Sequence, residues 1–320
     1  MADELLALIW GYRVSQAIHV VSLLGIPDLV AMTPKTPQEL AAATGSDADT
    51  LRRVLRALAA YRVMQEDECG RFGLTELGER LRSDAPGSLR DVAIGLFRPP
   101  MWDAWGRLPE SVRTGQNTFQ LVHGVDLWEF RAAHADERVA FDNAMVAHTR
   151  AAAQLILDAY DFGEFDTIVD VGGGRGALLQ SIIAAYPGAA GVLFDQPHVV
   201  ADLDLGPRVR VVGGSFFDSV PGEGDLYLLK WILHDFEDAA ALEILTTIRH
   251  VCDKQAKLLI VEHDLAAPET TLSDLHMLVA PGGRERTQAE YAELLESAGF
   301  GLARAIPTTS PLTLLEALPH

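Results

Sequence analysis

From residue 167 to the end of the chain, short apolar runs alternate with longer segments that carry apolar residues at helical spacing. The runs are TIVDV, AGVLF, RVRVV, DLYLLKWI, AKLLIVE and PLTLLEA. A strand that is buried on both faces reads as a continuous apolar run, and alternation with helices is the pattern of βαβ units. The sequence therefore predicts an α/β fold built on a mainly parallel, doubly wound sheet.

The first third of the chain is helical in pattern and contains a helix, turn, helix and hairpin arrangement. Apolar residues recur at helical spacing in ELLALIWGYRVSQAIHVVSLLG, TPQELAAATG and SDADTLRRVLRALAAYRV. The segment VMQEDECGRFGLT has the polar, glycine-containing turn of a hairpin. Ser46 or Asp47 suits the N-cap of the third helix. This arrangement is typical of a winged-helix module, which serves either DNA binding or dimerisation.

Charge separates these two uses of the module. Residues 35–82 contain eight Lys or Arg and eight Asp or Glu, and the whole chain carries a formal net charge of −19. Affinity for nucleic acids or anionic membranes depends on clustered Lys and Arg. The sequence therefore favours dimerisation and predicts no nucleic-acid and no membrane partner. A homodimer is also indicated by the first helix, whose apolar side chains are too many to face water: Leu5, Leu6, Leu8, Ile9 and Trp10.

The composition is that of a cytoplasmic protein without a metal or a disulfide framework. No run of about 18 apolar residues is present, and MADELLALIWGYR carries acidic residues where a signal peptide would be basic. Cys69 and Cys252 lie far apart and form no CxxC motif. His263 has no His or Asp at ligand spacing around it in the sequence. We therefore predict no metal.

A glycine loop follows the first strand of the predicted sheet, in TIVDVGGGRGALLQSIIAAYP. Gly172, Gly174 and Ala177 satisfy the dinucleotide fingerprint, and Asp195 lies 23 residues beyond Gly172, where it could bind a ribose. Asp170, however, would crowd a pyrophosphate, whereas its carboxylate could attract the ammonium of an amino-acid group. The loop also opens the second half of the chain instead of heading a dinucleotide domain. These details favour a cofactor that carries an amino-acid group over NAD.

The apolar run LYLLKWILHDFED ends in four side chains that prefer water or a polar partner, namely Lys230, Trp231, His234 and Asp235. Open α/β sheets bind ligands at the carboxyl ends of their strands. His234 is therefore a candidate site residue. Because Asp235 is its direct neighbour, we expect the carboxylate of Asp235 to point elsewhere.

Six motifs together resemble one family. VDVGGGRG, FDQPHVV, VGGSFF, LLKWILHDFED, LLIVEHDL and PGGRERTQAEYAELLESAGF, in this order, are similar to the S-adenosylmethionine-dependent O-methyltransferases of the caffeate, flavonoid and polyketide-tailoring type. The resemblance covers essentially the whole chain. It implies a winged-helix-like dimerisation domain over residues 1–99, a Rossmann-like methyltransferase domain over residues 100–320, and a role in secondary metabolism.

The resemblance also implies how the cofactor S-adenosyl-L-methionine is held. Its methionine end would lie against Gly172, Gly174 and their neighbours, and the carboxylate of Asp170 could attract its ammonium group. Asp195 would bind the ribose hydroxyls. The remaining cofactor contacts that the resemblance implies are Gln196, Ser215, Phe216 and Lys230.

Two positions depart from the family pattern at the adenine end. Ser215, in GGSF, replaces the carboxylate that the family usually has in GGDM or GGDF. A neutral acceptor makes a hydrogen bond weaker than a charged one by roughly half, and Asp218 could substitute for it. Phe236 stands where the family usually has a tryptophan, so an aromatic face is kept and an N–H donor is lost. These changes bear on cofactor affinity and not on cofactor identity.

The family's chemistry accounts for His234. A phenol has a pKa of about 10 and is a poor nucleophile when neutral, so methyl transfer from a sulfonium needs a base near the hydroxyl. Histidine, with an ordinary pKa of about 6.5, can accept that proton. The resemblance implies that His234 is the base, and that Glu262 and Glu285 bracket it, fix its tautomer and stabilise the imidazolium.

The acceptor is expected to be a small aromatic or polyketide-like molecule. Met145, His148 and Met277 match family positions that line the acceptor pocket, and Trp102 and Trp105 could cover it. Some members of the family hydroxylate or decarboxylate instead, and a winged-helix protein could also be a ligand-sensing regulator. Retention of His234 with both carboxylates favours methylation, and the charge balance disfavours the regulator.

Overall fold

The computed structural model describes residues 2–320, with side chains described from Glu4 onward. The chain forms two compact units. The first runs up to Pro99 and includes Asp136–Ala151, and the second comprises Pro100–Ala135 and Ala152–His320. The division of the sequence into domains at residues 99 and 100 stays a prediction, since the segment 136–151 groups with the first unit.

The N-terminal part contains short helices around a two-stranded hairpin. The hairpin pairs β1 (Met64–Glu66) with β2 (Phe72–Leu74) in antiparallel register. The Asp47 side chain accepts a hydrogen bond of 2.8 Å from the backbone N–H of Thr50, so Asp47, and not Ser46, is the N-cap of the fifth helix. The helices of this part are α1 Ala2–Ile9, α2 Gly11–Leu23, α3 Ile26–Val30, α4 Pro37–Thr44, α5 Ala48–Ala60, α6 Glu76–Glu79 and α7 Arg90–Gly95.

The first helix leaves its apolar side chains exposed in the single chain. Leu8 is 75% exposed and Leu5 is 59% exposed, and Ile9 and Trp10 are exposed as well. Exposed contiguous apolar side chains of this kind mark an interaction surface. The surface that the sequence assigned to dimerisation is therefore available on α1.

The rest of the chain consists of helices that flank a large sheet. Two short 3₁₀ helices, Leu233–Asp235 and Pro268–Thr270, lie in the loops after strands. The helices are α8 Pro99–Gly106, α9 Leu108–Thr114, α10 Thr118–His123, α11 Leu127–Ala133, α12 Ala135–Ala159, α13 Ala177–Ala185, α14 Pro197–Val200, α15 Asp238–Val251, α16 Thr271–Val279 and α17 Gln288–Ser297. The strands are β3 Thr167–Val171, β4 Ala190–Asp195, β5 Val209–Gly213, β6 Leu226–Lys230, β7 Lys257–His263, β8 Phe300–Pro307 and β9 Leu312–Pro319.

Within residues 2–320 these seven strands form one mixed sheet in the order β5-β4-β3-β6-β7-β9-β8. Strands β3 to β7 are parallel, and β9 runs antiparallel to both β7 and β8. The predicted doubly wound, mainly parallel sheet is confirmed. Strand β8 was not expected, because it is an edge strand of which only Phe300 is fully buried, and it therefore has no continuous apolar run.

Strand β6 shows why its apolar run is unbroken. Leu226 and Leu228 pack into the core on one face of the sheet, whereas Tyr227 and Leu229 pack into the core on the other face. Each buried leucine contributes about 1.5–3 kcal/mol relative to an exposed one. Polar residues can therefore begin only where the strand ends, at Lys230.

The topology places that strand end at a ligand-binding position. From β3 the chain moves outward through β4 to β5, and then crosses back to β6 and β7 on the other side of β3. The carboxyl ends of β3 and β6 thus flank the point where the strand order reverses, which is where doubly wound sheets bind ligands. No helix among the described residues is long and apolar enough to cross a membrane.

Candidate active site at the carboxyl ends of the central strands

The loop after β6 has an unusual backbone that presents His234. Trp231 adopts φ of 54°, in the left-handed region that bulky residues rarely occupy. The 3₁₀ helix Leu233–Asp235 follows directly and leaves His234 only 7% exposed. Such a conformation persists only when surrounding contacts hold it, and it is found most often at functional sites.

Glu262, at the end of β7, is one of these contacts. Its Oε1 accepts hydrogen bonds from the backbone N–H groups of Ile232 and Leu233, both at 3.0 Å, and from that of His234 at 3.4 Å. A single carboxylate oxygen thereby satisfies the free donors at the start of the 3₁₀ helix. Glu262 therefore fixes the backbone of the loop as well as facing the imidazole.

The structure brings His234 together with both predicted carboxylates. The Nδ1 atom of His234 lies 3.0 Å from Oε1 of Glu285 and 3.4 Å from Oε2 of Glu262. Both carboxylates are buried, at 0% and 1% exposure. Because Nδ1 faces two carboxylates, it carries the proton in the neutral ring, and Nε2 is the nitrogen that can accept one.

Asp235 also approaches the imidazole, so the expectation that it points elsewhere is wrong. Its Oδ1 lies 3.6 Å from Nε2 of His234. In a 3₁₀ turn there are three residues per turn, so neighbouring side chains do not point in opposite directions as they do along a strand. Burial raises the pKa of Asp235 to about 7, although the positive charge of His234 opposes this.

The carboxylates set the charge state of His234. Burial lowers its pKa, but Glu262, Asp235 and Glu285 together raise it more, to about 10. Burial also raises the pKa of Glu285, but its hydrogen bonds with His234 and Ser273 and its proximity to His263 outweigh burial and hold it below its ordinary value. Ser273 donates to Oε1 of Glu285 at 2.6 Å. The carboxylates therefore favour the imidazolium that forms when His234 takes up a proton.

Replacing Glu285 with glutamine should lower the pKa of His234 from about 10 towards its ordinary value, because the amide keeps the shape but removes the negative charge. NMR titration of histidine ring resonances measures this pKa. Glu296→Gln, at an exposed position, is the matched control and should leave it unchanged. An unchanged His234 pKa in Glu285→Gln would show that Glu285 is not its electrostatic partner.

Two residues that the sequence analysis did not single out hold the same loop from the other side. Arg286, which is buried, donates to the backbone oxygens of Leu233 and Phe236, each at 2.8 Å, and to Asp238. At Gly283 any Cβ would overlap backbone atoms of residues 234–236. Both residues belong to the motif GGRERT, from which only Glu285 was predicted as a site residue.

The glycine loop after β3 lies over a buried carboxylate. Gly172 and Gly174 have φ of 72° and 58°, which favours glycine, and a Cβ on Gly173 would overlap Asp170. Asp170 is only 2% exposed, and its Oδ2 has no hydrogen-bond partner. A buried acceptor left without a partner costs about 1–3 kcal/mol. A ligand with a positively charged donor, such as an α-ammonium group, fits this position.

Charges around the loop support the same interpretation. Burial raises the pKa of Asp170 and lowers that of Lys230, to about 7 in both cases, while the two opposite charges favour each other's ionised form. Asp195, at the end of β4, accepts hydrogen bonds from the backbone N–H groups of Gly174 at 2.7 Å and Gln196 at 2.6 Å. Asp170, Gly174, Asp195 and Lys230 therefore belong to one cleft.

The predicted adenine-side residues follow β5. The Ser215 Oγ accepts a hydrogen bond of 3.2 Å from the backbone N–H of Phe217. The rings of Phe216 and Phe236 meet edge to face, with centroids 5.8 Å apart. A Cβ on Gly172 would be in ordinary contact with the Phe216 ring, so this ring lies beside the glycine loop. Asp218, by contrast, is exposed.

The predicted acceptor residues are distributed over several helices. Met277 is buried on α16, where the neighbouring His276 stacks on Trp105 of α8, with ring centroids 6.0 Å apart. Burial lowers the pKa of His276 to about 4, so this ring is neutral. His276 lies outside the motifs from which the site was predicted. Met145 and His148 lie on α12, in the segment that belongs to the first unit. Their place in an acceptor pocket, with that of Met277, stays a prediction.

His263 is closer to the site than the sequence suggested. Its Nδ1 lies 3.6 Å from Oε1 of Glu285. Among the described residues, ligand atoms of His234, His263 and Glu285 all lie within 4.8 Å of one another. The expectation that His263 has no partner at ligand spacing is correct along the sequence and wrong in space, because its partners come from other strand and loop ends.

A glycine loop over a buried carboxylate, at the switch point of a seven-stranded sheet and beside a carboxylate-paired histidine, defines an α/β methyltransferase. The chain belongs to the S-adenosylmethionine-dependent O-methyltransferases: residues 105–301 match the family's O-methyltransferase domain, and residues 6–84 match its O-methyltransferase dimerisation domain. The predicted family, fold and enzyme class are thereby confirmed.

Relatives along the full length agree with this assignment. The phenazine O-methyltransferase PhzM of Lysobacter antibioticus is 42% identical, over 100% of this chain and 96% of its own. The crystal structure of LaPhzM superposes with a TM-score of 0.95 at 41% identity, covering 100% of this chain and 99% of that one. CalO1, a methyltransferase in calicheamicin biosynthesis solved in its SAH-bound form, gives 0.86 at 34% identity, covering 100% and 98%. These comparisons support methylation and do not support hydroxylation, decarboxylation or a regulatory role.

Proposed function

We propose that this O-methyltransferase transfers a methyl group from S-adenosyl-L-methionine to a phenolic hydroxyl of a small aromatic acceptor, with His234 taking the phenol proton. The observation that carries this proposal is the buried imidazole of His234, whose Nδ1 lies 3.0 Å from Glu285 at the switch point of the sheet. That contact leaves Nε2 for the acceptor. The names of the relatives, which include an O-methyltransferase of a phenazine, support a flat aromatic acceptor.

The raised pKa of His234 suits a phenol. Proton transfer from a phenol, with a pKa of about 10, to an ordinary imidazole, with a pKa of about 6.5, is unfavourable. The carboxylates around His234 raise its pKa and make this transfer easier. As the hydroxyl oxygen forms its bond to the methyl carbon, its proton moves to Nε2. Glu262 and Glu285 then stabilise the imidazolium without changing their own protonation.

The cofactor contacts are also proposals for this chain. S-adenosylmethionine, when bound, supplies a methyl group on a sulfonium, and the sulfur becomes a neutral thioether once its bond to the methyl carbon breaks. Asp170 would hold the ammonium group, the backbone of Gly172 and Gly174 would approach the methionine end, and Asp195 would bind the ribose. The remaining contacts are Gln196, Ser215, Phe216 and Lys230.

Asp170→Asn should weaken binding of S-adenosylhomocysteine about tenfold, because a charge-assisted hydrogen bond is about twice as strong as a neutral one and about 1.4 kcal/mol corresponds to a factor of ten. Titration calorimetry measures the affinity, and the wild-type protein should show no binding of NAD. Asp253→Asn, at an exposed position, is the control and should bind like the wild type. Tight binding of NAD, or an unaffected Asp170→Asn, would refute these cofactor contacts.

Methyl transfer can be tested with a phenol library and methyl-labelled cofactor, followed by mass spectrometry of the products. Phenols should gain one labelled methyl group, whereas the matched methyl ethers, which lack the ionisable hydroxyl, should gain none. Matched anilines test whether nitrogen is the true acceptor. Label found on anilines or carboxylic acids, and on no phenol, would contradict the proposed acceptor class.

The proposal also covers the oligomeric state, the partners and the location of the protein. The matched dimerisation domain and the exposed apolar face of α1 support a homodimer as the working form. The net charge of −19 supports the proposal that the protein binds neither nucleic acid nor an anionic membrane surface. Cytoplasmic action in secondary metabolism is part of the proposal.

A further inference from the structure

His263 has no part in the proposed methyl transfer, yet it is the third member of a cluster with His234 and Glu285. His263 lies at the end of β7, His234 in the loop after β6, and Glu285 in the loop before α17. Oε1 of Glu285 lies between the two rings, 3.0 Å from Nδ1 of His234 and 3.6 Å from Nδ1 of His263. Three strand and loop ends thus bring two imidazoles and one carboxylate to one point.

The same side chains carry buried polar atoms that lack a hydrogen-bond partner. Nδ1 of His263, Oε2 of Glu285 and Oε2 of Glu262 are all buried and have no hydrogen-bond partner. The Glu285 and Glu262 side chains are 0% and 1% exposed, and Oε2 of Glu262 lies 3.4 Å from Nδ1 of His234. Each unsatisfied buried acceptor costs about 1–3 kcal/mol. A cation that takes up these lone pairs would remove that cost.

The chemistry of the cluster selects the cation. Two histidines and one glutamate form a ligand set of zinc enzymes. A tetrahedral ion with bonds of about 2.0–2.1 Å holds neighbouring ligand atoms about 3.3 Å apart. The two distances from Oε1 of Glu285, 3.0 and 3.6 Å, lie on either side of this value, and all three ligand atoms lie within 4.8 Å of one another. Mg²⁺ prefers oxygen ligands in an octahedron and does not suit two imidazoles.

We propose that His234, His263 and Glu285 form a Zn²⁺ site, with Glu262 beside it, and that zinc bound there inhibits the enzyme. Inhibition follows from the chemistry of the imidazole ring. A neutral histidine carries a single ring proton, so when Nδ1 binds a metal the proton must lie on Nε2. Nε2 can then no longer accept the proton of the acceptor.

Binding can be measured directly by calorimetric titration of the tag-free protein with zinc chloride, without cofactor or acceptor. The wild type should bind one zinc ion per chain, and millimolar Mg²⁺ should not compete. Loss of even an indirect partner of a metal ligand costs about 10- to 100-fold in affinity, so His263→Ala should weaken zinc binding at least about tenfold. His250→Ala removes an exposed histidine from α15 and is the matched control.

Binding of S-adenosylhomocysteine reports whether each variant is folded, and Glu285→Gln provides a second loss of a ligand in case His263→Ala is not. In the assay of methyl transfer, zinc should inhibit the wild type and a chelator should restore activity. Because zinc binding is measured without turnover, its failure can be distinguished from failure of the proposed reaction. Equal zinc affinity in wild type and His263→Ala, or no saturable binding in the wild type, would overturn the proposal.

Discussion

Replacement of His234 by alanine should reduce turnover by about 10²- to 10⁴-fold, the usual contribution of general-base catalysis, while affinity for S-adenosylhomocysteine stays nearly unchanged. In the proposed reaction the imidazole takes the acceptor's proton, whereas the proposed cofactor contacts are Asp170, Asp195 and the glycine loop. Assays with labelled cofactor measure the first quantity, and calorimetry measures the second. Glu262→Gln and Glu285→Gln should cost less, because an amide can still orient the ring but cannot balance its charge.

The pH dependence of turnover tests whether His234→Ala loses activity because the base is missing. A phenol ionises unaided as the pH approaches its pKa of about 10, so the deficit of His234→Ala relative to the wild type should become smaller as the pH rises. His250→Ala, on the exposed face of α15, should show no deficit at any pH. Full activity of His234→Ala at neutral pH would mean that positioning alone, or an already ionised acceptor, drives the reaction.

Gly283→Ala should lower turnover about 10²-fold and destabilise the protein by about 1–3 kcal/mol. Its Cβ would overlap the backbone of residues 234–236, which cannot yield as the tip of a flexible side chain can, so the His234 loop must shift. Overpacking typically costs this much stability, and a misplacement of about 1 Å can cost 10² in rate. Denaturant unfolding and steady-state kinetics measure the two effects.

A matched alanine elsewhere separates the clash from a general effect of losing a glycine. A Cβ added at Gly188 would meet no atom within 4 Å, and the backbone there has no left-handed φ. Gly188→Ala should therefore keep wild-type turnover and stability. If Gly283→Ala also behaves like the wild type, the loop is more adaptable than its contacts with Glu262, Gly283 and Arg286 indicate.

Those parts of the fold that are buried on two faces could be predicted from the sequence. Strands β3, β6 and β7 have continuous apolar runs because both of their faces are covered. Strand β8 could not be found in the same way, since it lies at the edge of the sheet and only its first residue, Phe300, is fully buried. Strand β5, at the opposite edge, was found because it contains the valines of RVRVV, whereas β8 has no such run.

Some residues of the candidate site could be predicted from the sequence and others could not. His234, Glu262 and Glu285 could be named because each lies in a motif of the resembling family, and the structure brings them together. Asp235 and His263 were misjudged because sequence spacing does not give the direction of a side chain in a 3₁₀ turn, nor the partners that neighbouring strands supply. Arg286 acts through the backbone of the loop, and no apolar period or ligand spacing marks such a contact.

The pairing of β6 with β7 ends with Lys230 opposite Val261, so Glu262 is the first residue past the paired part of β6, and on its other side it pairs with Thr313 of β9. A slip of one residue would exchange Glu262 for a neighbour that points to the opposite face. The surroundings of His234, the proposed base, therefore depend on strand register, whereas Met277, His276 and Trp105 lie on helices. Substitutions on these helices could thus alter the proposed acceptor pocket during evolution without changing the contacts of His234.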